Sequence, residues 1–208
     1  YSHLILLCEN NTGYQNLMYL CSQGFLTGYY YKPRMDYDLI RQHSEGLICL
    51  SACLSGDLPK LLLQERHDDA VNYVHEMQDI FGKDNFFIEI MDHGIREEKI
   101  VLPRLVALAR ELNVPLVATN DCHYLEEKDA DAQEVLMCIQ TGKTLEDDAR
   151  MRMETRQLYV KSETEMRTLF ASCPDAVDNT TKIAERCQVE FEFGVTRLPH
   201  YPVPKDET

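Results

Sequence analysis

Four short apolar runs alternate with segments of helical periodicity, and this order restricts the possible folds more than any other feature of the sequence. The runs are of strand length and rich in Leu, Ile, Val and Phe, which is typical of strands buried on both faces. We predict strands over residues 4–8, 46–50, 85–91 and 114–119. Strands that alternate with helices through short connections form a mostly parallel sheet, either open or closed into a barrel.

Apolar residues at helical spacing predict the helices between and after these strands. One helix begins near residue 11, and others cover residues 68–81, 95–112, 130–140 and 175–187. Ser162 and Glu165 have the spacing of a capping box, which predicts a further short helix. Alternation with glutamates predicts a half-exposed edge strand at Val189, Phe191 and Phe193.

The composition divides the chain into three parts. Residues 1–141 contain the four strands, residues 142–197 are more polar, and residues 198–208 are proline-rich and predict an extended linker. The basic residues of the second part are interpreted as a solvated face that balances its acidic residues, with a domain contact as the alternative. Four strands are too few for a closed barrel, which usually takes about eight. We therefore expect either an open sheet or a barrel whose first strands precede residue 1.

Charge, hydropathy and missing motifs exclude several classes of protein. The formal net charge of −14 disfavours a segment that grips nucleic acid by itself, because an acidic surface repels phosphate. We expect no membrane span, since no apolar run approaches roughly 20 residues, and no signal peptide. P-loop, Rossmann, zincin and serine-hydrolase motifs are absent from the sequence. The eight cysteines include no C-x-x-C pair, so we expect reduced thiols in a cytoplasmic protein, mostly in the core.

The segment Asp121-Cys122-His123 directly follows the fourth predicted strand. Because side chains of an extended chain repeat every second residue, Asp121 and His123 are expected on the same side. A carboxylate and an imidazole at a strand end can hold a metal ion, and α/β folds keep their chemistry at this end. In the alternative interpretation, Asp121 caps a turn and His123 is a partly buried polar residue.

Four further residues are candidates on chemistry alone. Cys53 follows the second strand among small residues, which allow a ligand or metal to approach, although a buried structural cysteine is the more ordinary interpretation. His3 precedes the first strand, and a lone histidine there is ordinarily a surface residue. Glu89 lies inside an apolar strand that His93 follows, and a buried carboxylate needs a partner. Either a salt bridge to a neighbouring helix or the support of a site would satisfy it.

Several longer motifs make the chain similar to a known family. These motifs are Gly28-Tyr29-Tyr30-Tyr31-Lys32-Pro33-Arg34, Leu50-Ser51-Ala52-Cys53-Leu54-Ser55-Gly56, Met91-Asp92-His93-Gly94, Ala118-Thr119-Asn120-Asp121-Cys122-His123-Tyr124 and Leu198-Pro199-His200-Tyr201-Pro202-Val203-Pro204. In them the chain closely resembles the PHP (polymerase and histidinol phosphatase) domains of bacterial replicative DNA polymerase III alpha subunits. The resemblance covers nearly the whole chain.

The resemblance implies a distorted (β/α)7 barrel with a polynuclear metal centre at the carboxyl ends of its strands. Residues 1–141 would be the barrel core, 142–197 the end of the domain, and 198–208 a linker toward the polymerase palm. By matching motif position, the implied ligands of up to three Zn²⁺ or Mn²⁺ ions are His3, Cys53, Asp121 and His123. Asp121 and His123 would also be catalytic, and Cys122 between them would face the core. Other ligands are expected in an H-x-H-containing segment upstream, so barrel and centre are expected to be incomplete here.

The resemblance also implies a function in bacterial DNA replication. The expected activity is a metal-dependent 3′–5′ exonuclease that proofreads, or a related phosphoesterase, whereas polymerisation would reside in other domains of the full subunit. Those domains, DNA and other replisome subunits would be the partners, in the bacterial cytoplasm and without a membrane. Little catalysis is expected from the 208 residues alone. The alternative is a structural module without catalysis that stabilises the polymerase or docks a proofreading partner.

Overall fold

A computed structural model describes residues 1–196, 198 and 202, and within them the chain forms a four-stranded sheet. The strands are β1 (Ile5–Cys8), β2 (Leu47–Leu50), β3 (Phe86–Ile90) and β4 (Leu116–Ala118), in this spatial order. All four predicted strands are therefore confirmed. β2, β3 and β4 are parallel to one another, as predicted, but β1 pairs with β2 in the antiparallel direction. In the described part the sheet is open, so closure into a (β/α)7 barrel stays a prediction.

Eight α-helices surround the sheet in the described part of the chain. They are α1 (Asn11–Leu26), α2 (Tyr37–Gln42), α3 (Asp57–Leu63), α4 (His67–Phe81), α5 (Arg96–Leu112), α6 (Ala130–Thr141), α7 (Glu163–Leu169) and α8 (Pro174–Arg186). A short 3-10 helix, Glu127–Asp129, precedes α6. Every predicted helix is confirmed, including α7 with its Ser162–Glu165 capping box. α2 and α3 were not predicted, because six and seven residues are too few to show a helical period.

The sheet separates two apolar layers. Strand residues of one face pack with α1 to α5 in the larger core, and they include Leu47, Cys49, Phe86, Ile88, Ile90, Leu116 and Ala118. On the other face Ile48, Leu50, Phe87 and Val117 pack against Ile183 of α8. Since side chains alternate along a strand, Glu89 shares this second face with Phe87. None of the helices in the described residues combines the length and apolar character needed to cross a membrane.

Two expectations for core and edge positions are wrong. Three of the eight cysteines are buried, Cys49, Cys138 and Cys173, so most are not core residues. The segment after α8 is not a strand in the described residues. Its polar groups are bound by a side chain instead, because the Asn11 amide bonds the backbone N–H and C=O of Glu190. The predicted linker 198–208 lies outside the described residues, apart from 198 and 202.

Helix α1 approaches the turn before β2 so closely that Gly13 leaves no room for a side chain. A Cβ atom at Gly13 would lie 1.8 Å from the carbonyl oxygen of Gly46. We expect Gly13→Ala to lower the free energy of unfolding by about 1–3 kcal/mol, because two backbone segments must move apart. Guanidinium unfolding of the 208-residue chain would measure this loss.

Gly24→Ala is a matched control on the same helix. A Cβ atom there would lie 3.4 Å from the Arg34 carbonyl oxygen, which is ordinary contact. Alanine is also the better helix former by roughly 0.5–1 kcal/mol. We therefore expect this variant to be neutral or slightly more stable, and equal losses at Gly13 and Gly24 would contradict the steric explanation.

Candidate metal centre

The antiparallel direction of β1 places His3 beside Cys53. In parallel strands the carboxyl ends share one edge of the sheet, so the loop that carries Cys53 leaves β2 at that edge. β1 runs the other way, and its first residue, Ile5, pairs with Leu50, the last residue of β2. The His3 N–H donates to the Ser55 carbonyl at 3.0 Å, and His3 Nδ1 lies 3.7 Å from Cys53 Sγ. The imidazole and the thiol therefore form one pair of metal-ligand types.

Asp121 and His123 form a second pair at the same edge, in the loop after β4. His123 Nε2 lies 3.6 Å from Asp121 Oδ1, and both side chains are exposed. Cys122 is exposed too, with its thiol directed to the Tyr159 carbonyl at 3.6 Å, so the expected core position of Cys122 is wrong. The reason is that this loop is not a strand, and its intervening side chain has no sheet face to enter.

The two pairs adjoin strands at the same edge of the sheet, but they do not form a closed ligand group among the described residues. Burial is the main cause that raises the pKa of the Cys53 thiol, and the negative charge of Asp121 contributes to the rise. Among the described residues, no group of three or more His, Cys, Asp or Glu is arranged to hold a metal ion. We call the two pairs of candidate ligands at this sheet edge, His3 with Cys53 and Asp121 with His123, half-sites.

Both loops contain backbone that L-residues adopt reluctantly. Ala52, directly before Cys53, has φ of 65°, and Asp121 has φ of 35°. Such conformations cost roughly 1–3 kcal/mol and persist only where the surroundings impose them. They fix the backbone beside Cys53 and at Asp121, and the sequence did not predict them.

A buried ion pair fixes the start of the Asp121 loop. His93 follows β3, and its Nδ1 lies 2.6 Å from Glu98 Oε1 in the first turn of α5. His93 Nε2 lies 2.8 Å from the Asn120 carbonyl, so both ring nitrogens face acceptors and the imidazole is cationic. Burial lowers the pKa of His93, but Glu98 more than offsets this and the net shift is upward. The sequence left a salt bridge to a helix as an alternative for Glu89, but it is His93 that forms one, and no ion pair of Glu89 is found among the described residues.

Residues of the polar second part also hold this loop. Lys161 donates to the Asn120 side chain at 3.0 Å, and the His123 N–H donates to the Leu158 carbonyl at 2.8 Å. Arg150 forms an ion pair with Glu134 at 3.0 Å with its side chain 8% exposed. The interpretation of these basic residues as a solvated face is therefore wrong for Arg150 and Lys161. Their contacts were invisible in the sequence, because their partners lie 16 and 41 residues away.

The donor chemistry of the edge suits transition metals. Imidazole, thiolate and carboxylate together favour Zn²⁺ or Mn²⁺ over Mg²⁺, which prefers oxygen ligands and water. Glu89 adds a buried carboxylate whose Oε2 has no hydrogen-bond partner among the described groups. In ligand type and in the unsatisfied buried oxygen of Glu89, the residues present fit part of a metal centre.

Comparison with known proteins gives the same family as the motifs. Residues 1–93 match the family model of the PHP domain. The DNA polymerase III subunit alpha of Treponema pallidum is 48% identical over 206 residues, which is 99% of this chain and 18% of that protein. Those of Borreliella burgdorferi and Thermus aquaticus are 46% and 44% identical over 97% and 100% of this chain.

The chain spans about 18% of the length of these curated relatives. The match to the Treponema pallidum protein extends well beyond residue 93 and spans the loop that carries Asp121 and His123. These findings show that the chain belongs to the PHP domains found in bacterial DNA polymerase III alpha subunits.

Proposed function

We propose that this chain is part of a bacterial replicative polymerase subunit and contributes a metal-dependent phosphodiester-hydrolysing centre that proofreads 3′ ends. The observation that supports this proposal is that two pairs of metal-ligand types, His3 with Cys53 and Asp121 with His123, adjoin strands at one edge of the sheet. These ligand types come from loops far apart in sequence, and the folding of β1 against β2 is what gathers the first pair.

The chain's own residues would hold and orient the metal ions. His3 and Cys53 would bind on one side and Asp121 and His123 on the other, with the remaining ligands supplied from outside the described residues. Bound metal ions would lower the pKa of a water molecule, orient a phosphodiester and stabilise charge on the leaving oxygen. The His93–Glu98 pair and Lys161 would keep the Asp121 loop in place during this chemistry, because both contact Asn120.

The charge of the chain limits how DNA would reach the centre. With a net charge of −14, the segment repels a phosphate backbone over several ångströms. DNA would therefore be held by other domains of the subunit, which would deliver a single 3′ end to the edge in the bacterial cytoplasm. Other replisome subunits are further expected partners.

A structural role is the second candidate function. It is favoured by the absence, among the described residues, of a closed group of three metal-ligating side chains. In this case the domain would stabilise the polymerase or dock a separate proofreading partner, and the paired residues at the edge would be remnants of a catalytic centre.

Metal content separates the two functions. We expect the complete subunit, purified without chelators, to contain more than one transition-metal ion per molecule by elemental analysis. A His3→Ala/Cys53→Ser variant should contain fewer, because one of the two half-sites is removed. Absence of bound metal from the unaltered subunit would sink the catalytic proposal and leave the structural one.

A further inference from the structure

Glu89 is a buried carboxylate at this edge, and it has no ion-pair partner among the residues that the structure describes. The residue is 4% exposed and lies on β3, between β2, which leads to Cys53, and β4, which leads to Asp121. Oε1 accepts a hydrogen bond from Thr119 Oγ1 at 2.6 Å, whereas Oε2 is buried without a hydrogen-bond partner among the described groups. Burying a carboxylate in this way is costly, so packing alone does not account for this side chain.

The contacts of Glu89 join the two loops that carry the candidate ligands. Its backbone N–H donates to Ser51 Oγ at 2.9 Å, and Ser51 is fully buried two residues before Cys53. Thr119, which donates to the Glu89 carboxylate, lies two residues before Asp121. A change at Glu89 therefore acts on both half-sites at once.

A small cavity lies beside Glu89. Its volume is about 20 Å³, and Ala52, Cys53 and Glu98 line it together with Glu89. A cavity of this size holds about one water molecule. Glu89 and the Cys53 loop therefore border the same small space, most of whose other lining residues are apolar.

We propose that Glu89 is a positioning residue of the metal centre, which through Thr119 and the Ser51–Ala52 segment sets the distance between Cys53 and Asp121. This inference rests on the proposed function, since it presupposes that these two residues bind metal. Groups that orient metal ligands without touching the metal typically change affinity by about 10–100-fold when they are removed.

Cobalt binding to the complete subunit tests this role without measuring activity. Co²⁺ bound to a thiolate gives a charge-transfer absorption band, and Cys53→Ser identifies the part of the band that belongs to this centre. We expect Glu89→Gln and Thr119→Val each to weaken Co²⁺ binding by about 10–100-fold. The double variant should bind no more weakly than the weaker single variant, because both changes break the same contact.

Two further variants separate positioning from a loss of stability. Thr119→Ser keeps the hydroxyl donor and should bind Co²⁺ as the unaltered subunit does. Val74→Ala removes buried volume from α4 in the main core, away from the edge, and should lower stability while leaving Co²⁺ affinity unchanged. If Glu89→Gln fails to fold, the difference in Co²⁺ affinity between Thr119→Val and Thr119→Ser still tests the positioning role.

The possible failures are distinguishable. The positioning role is overturned if Thr119→Val and every folded Glu89→Gln sample bind Co²⁺ as tightly as the unaltered subunit does. If the band is still lost in Cys53→Ser, the metal centre itself is retained. Equal binding by the valine and serine variants would also overturn the positioning role. If the unaltered subunit gives no band that depends on Cys53, the metal centre itself is rejected, and the role of Glu89 with it.

Discussion

Asp121→Asn is expected to abolish primer degradation by the complete subunit and to leave DNA polymerisation largely intact. The substitution keeps the size of the side chain and removes the charge that would hold a metal ion beside His123. A metal ion stabilises a phosphoryl-transfer transition state by several kcal/mol, and about 1.4 kcal/mol is a tenfold change in rate. Loss of the ion should therefore slow hydrolysis by about a thousandfold or more.

Both activities can be measured on one preparation of the subunit. A labelled primer with a mismatched 3′ end reports degradation without nucleotides and extension with them. Asp79→Asn is the matched control, because Asp79 is an exposed aspartate on α4 and contacts none of the site residues. Unchanged primer degradation in Asp121→Asn would refute the catalytic role, and equal loss of polymerisation would point to misfolding instead.

The second large effect is expected at Glu98. Glu98→Gln would remove the negative charge beside the His93 imidazolium. The side chains of His93 and Glu98 are only 1% and 6% exposed. Removing one partner of a buried pair typically costs about 3–5 kcal/mol, because the remaining charge is left uncompensated. We expect a loss of this order in the free energy of unfolding of the 208-residue chain, measured with guanidinium.

The loss should depend on pH in a defined direction. The pKa of His93 is raised above its ordinary 6.5, so its stabilisation is complete below that pH and disappears as pH rises through the raised pKa. Burial raises the pKa of Glu98, but the hydrogen bonds from His93 outweigh it and lower the pKa below the ordinary 4.5. Its stabilisation is therefore present above pH 4.5 and is lost as pH falls through the lowered value. The difference in free energy of unfolding between the original chain and Glu98→Gln should be largest between pH 4.5 and 6.5, where both stabilising contributions are present.

Glu97→Gln provides the control for this measurement. Glu97 is the preceding residue on α5 and is exposed, so its substitution changes the same charge in the same helix turn without touching His93. Surface changes of this kind are usually within about 0.5 kcal/mol of neutral. A similar loss of unfolding free energy in Glu97→Gln and Glu98→Gln would be evidence against a buried ion pair. So would a difference between Glu98→Gln and the original chain that does not vary with pH.

The elements of the fold were predictable because their signals are local. An apolar run of five residues cannot avoid burial, and a capping box such as Ser162–Glu165 satisfies its own backbone groups wherever it lies. The direction of β1 was not predictable in this way. Helix α1 and the chain around α2 connect β1 to β2, and a connection of that length permits either direction.

The contacts that support the site were missed for a related reason. Glu98 lies in the first turn of α5, where an acidic residue is usually a solvated charge, and only the position of His93 at the end of β3 turns it inward. Lys161 and Asn120 are 41 residues apart, so no sequence period connects them.

By itself, the sequence determined the strands and the main helices, and it indicated the Asp121–His123 pair because the two residues are only two positions apart. Only the tertiary structure decided that His3 meets Cys53, 50 residues further along the chain. That meeting follows from the antiparallel register of Ile5 with Leu50, which turns the start of β1 toward the carboxyl end of β2. Backbone hydrogen bonds between strands set this register, and they join residues whose separation in sequence carries no periodic signal.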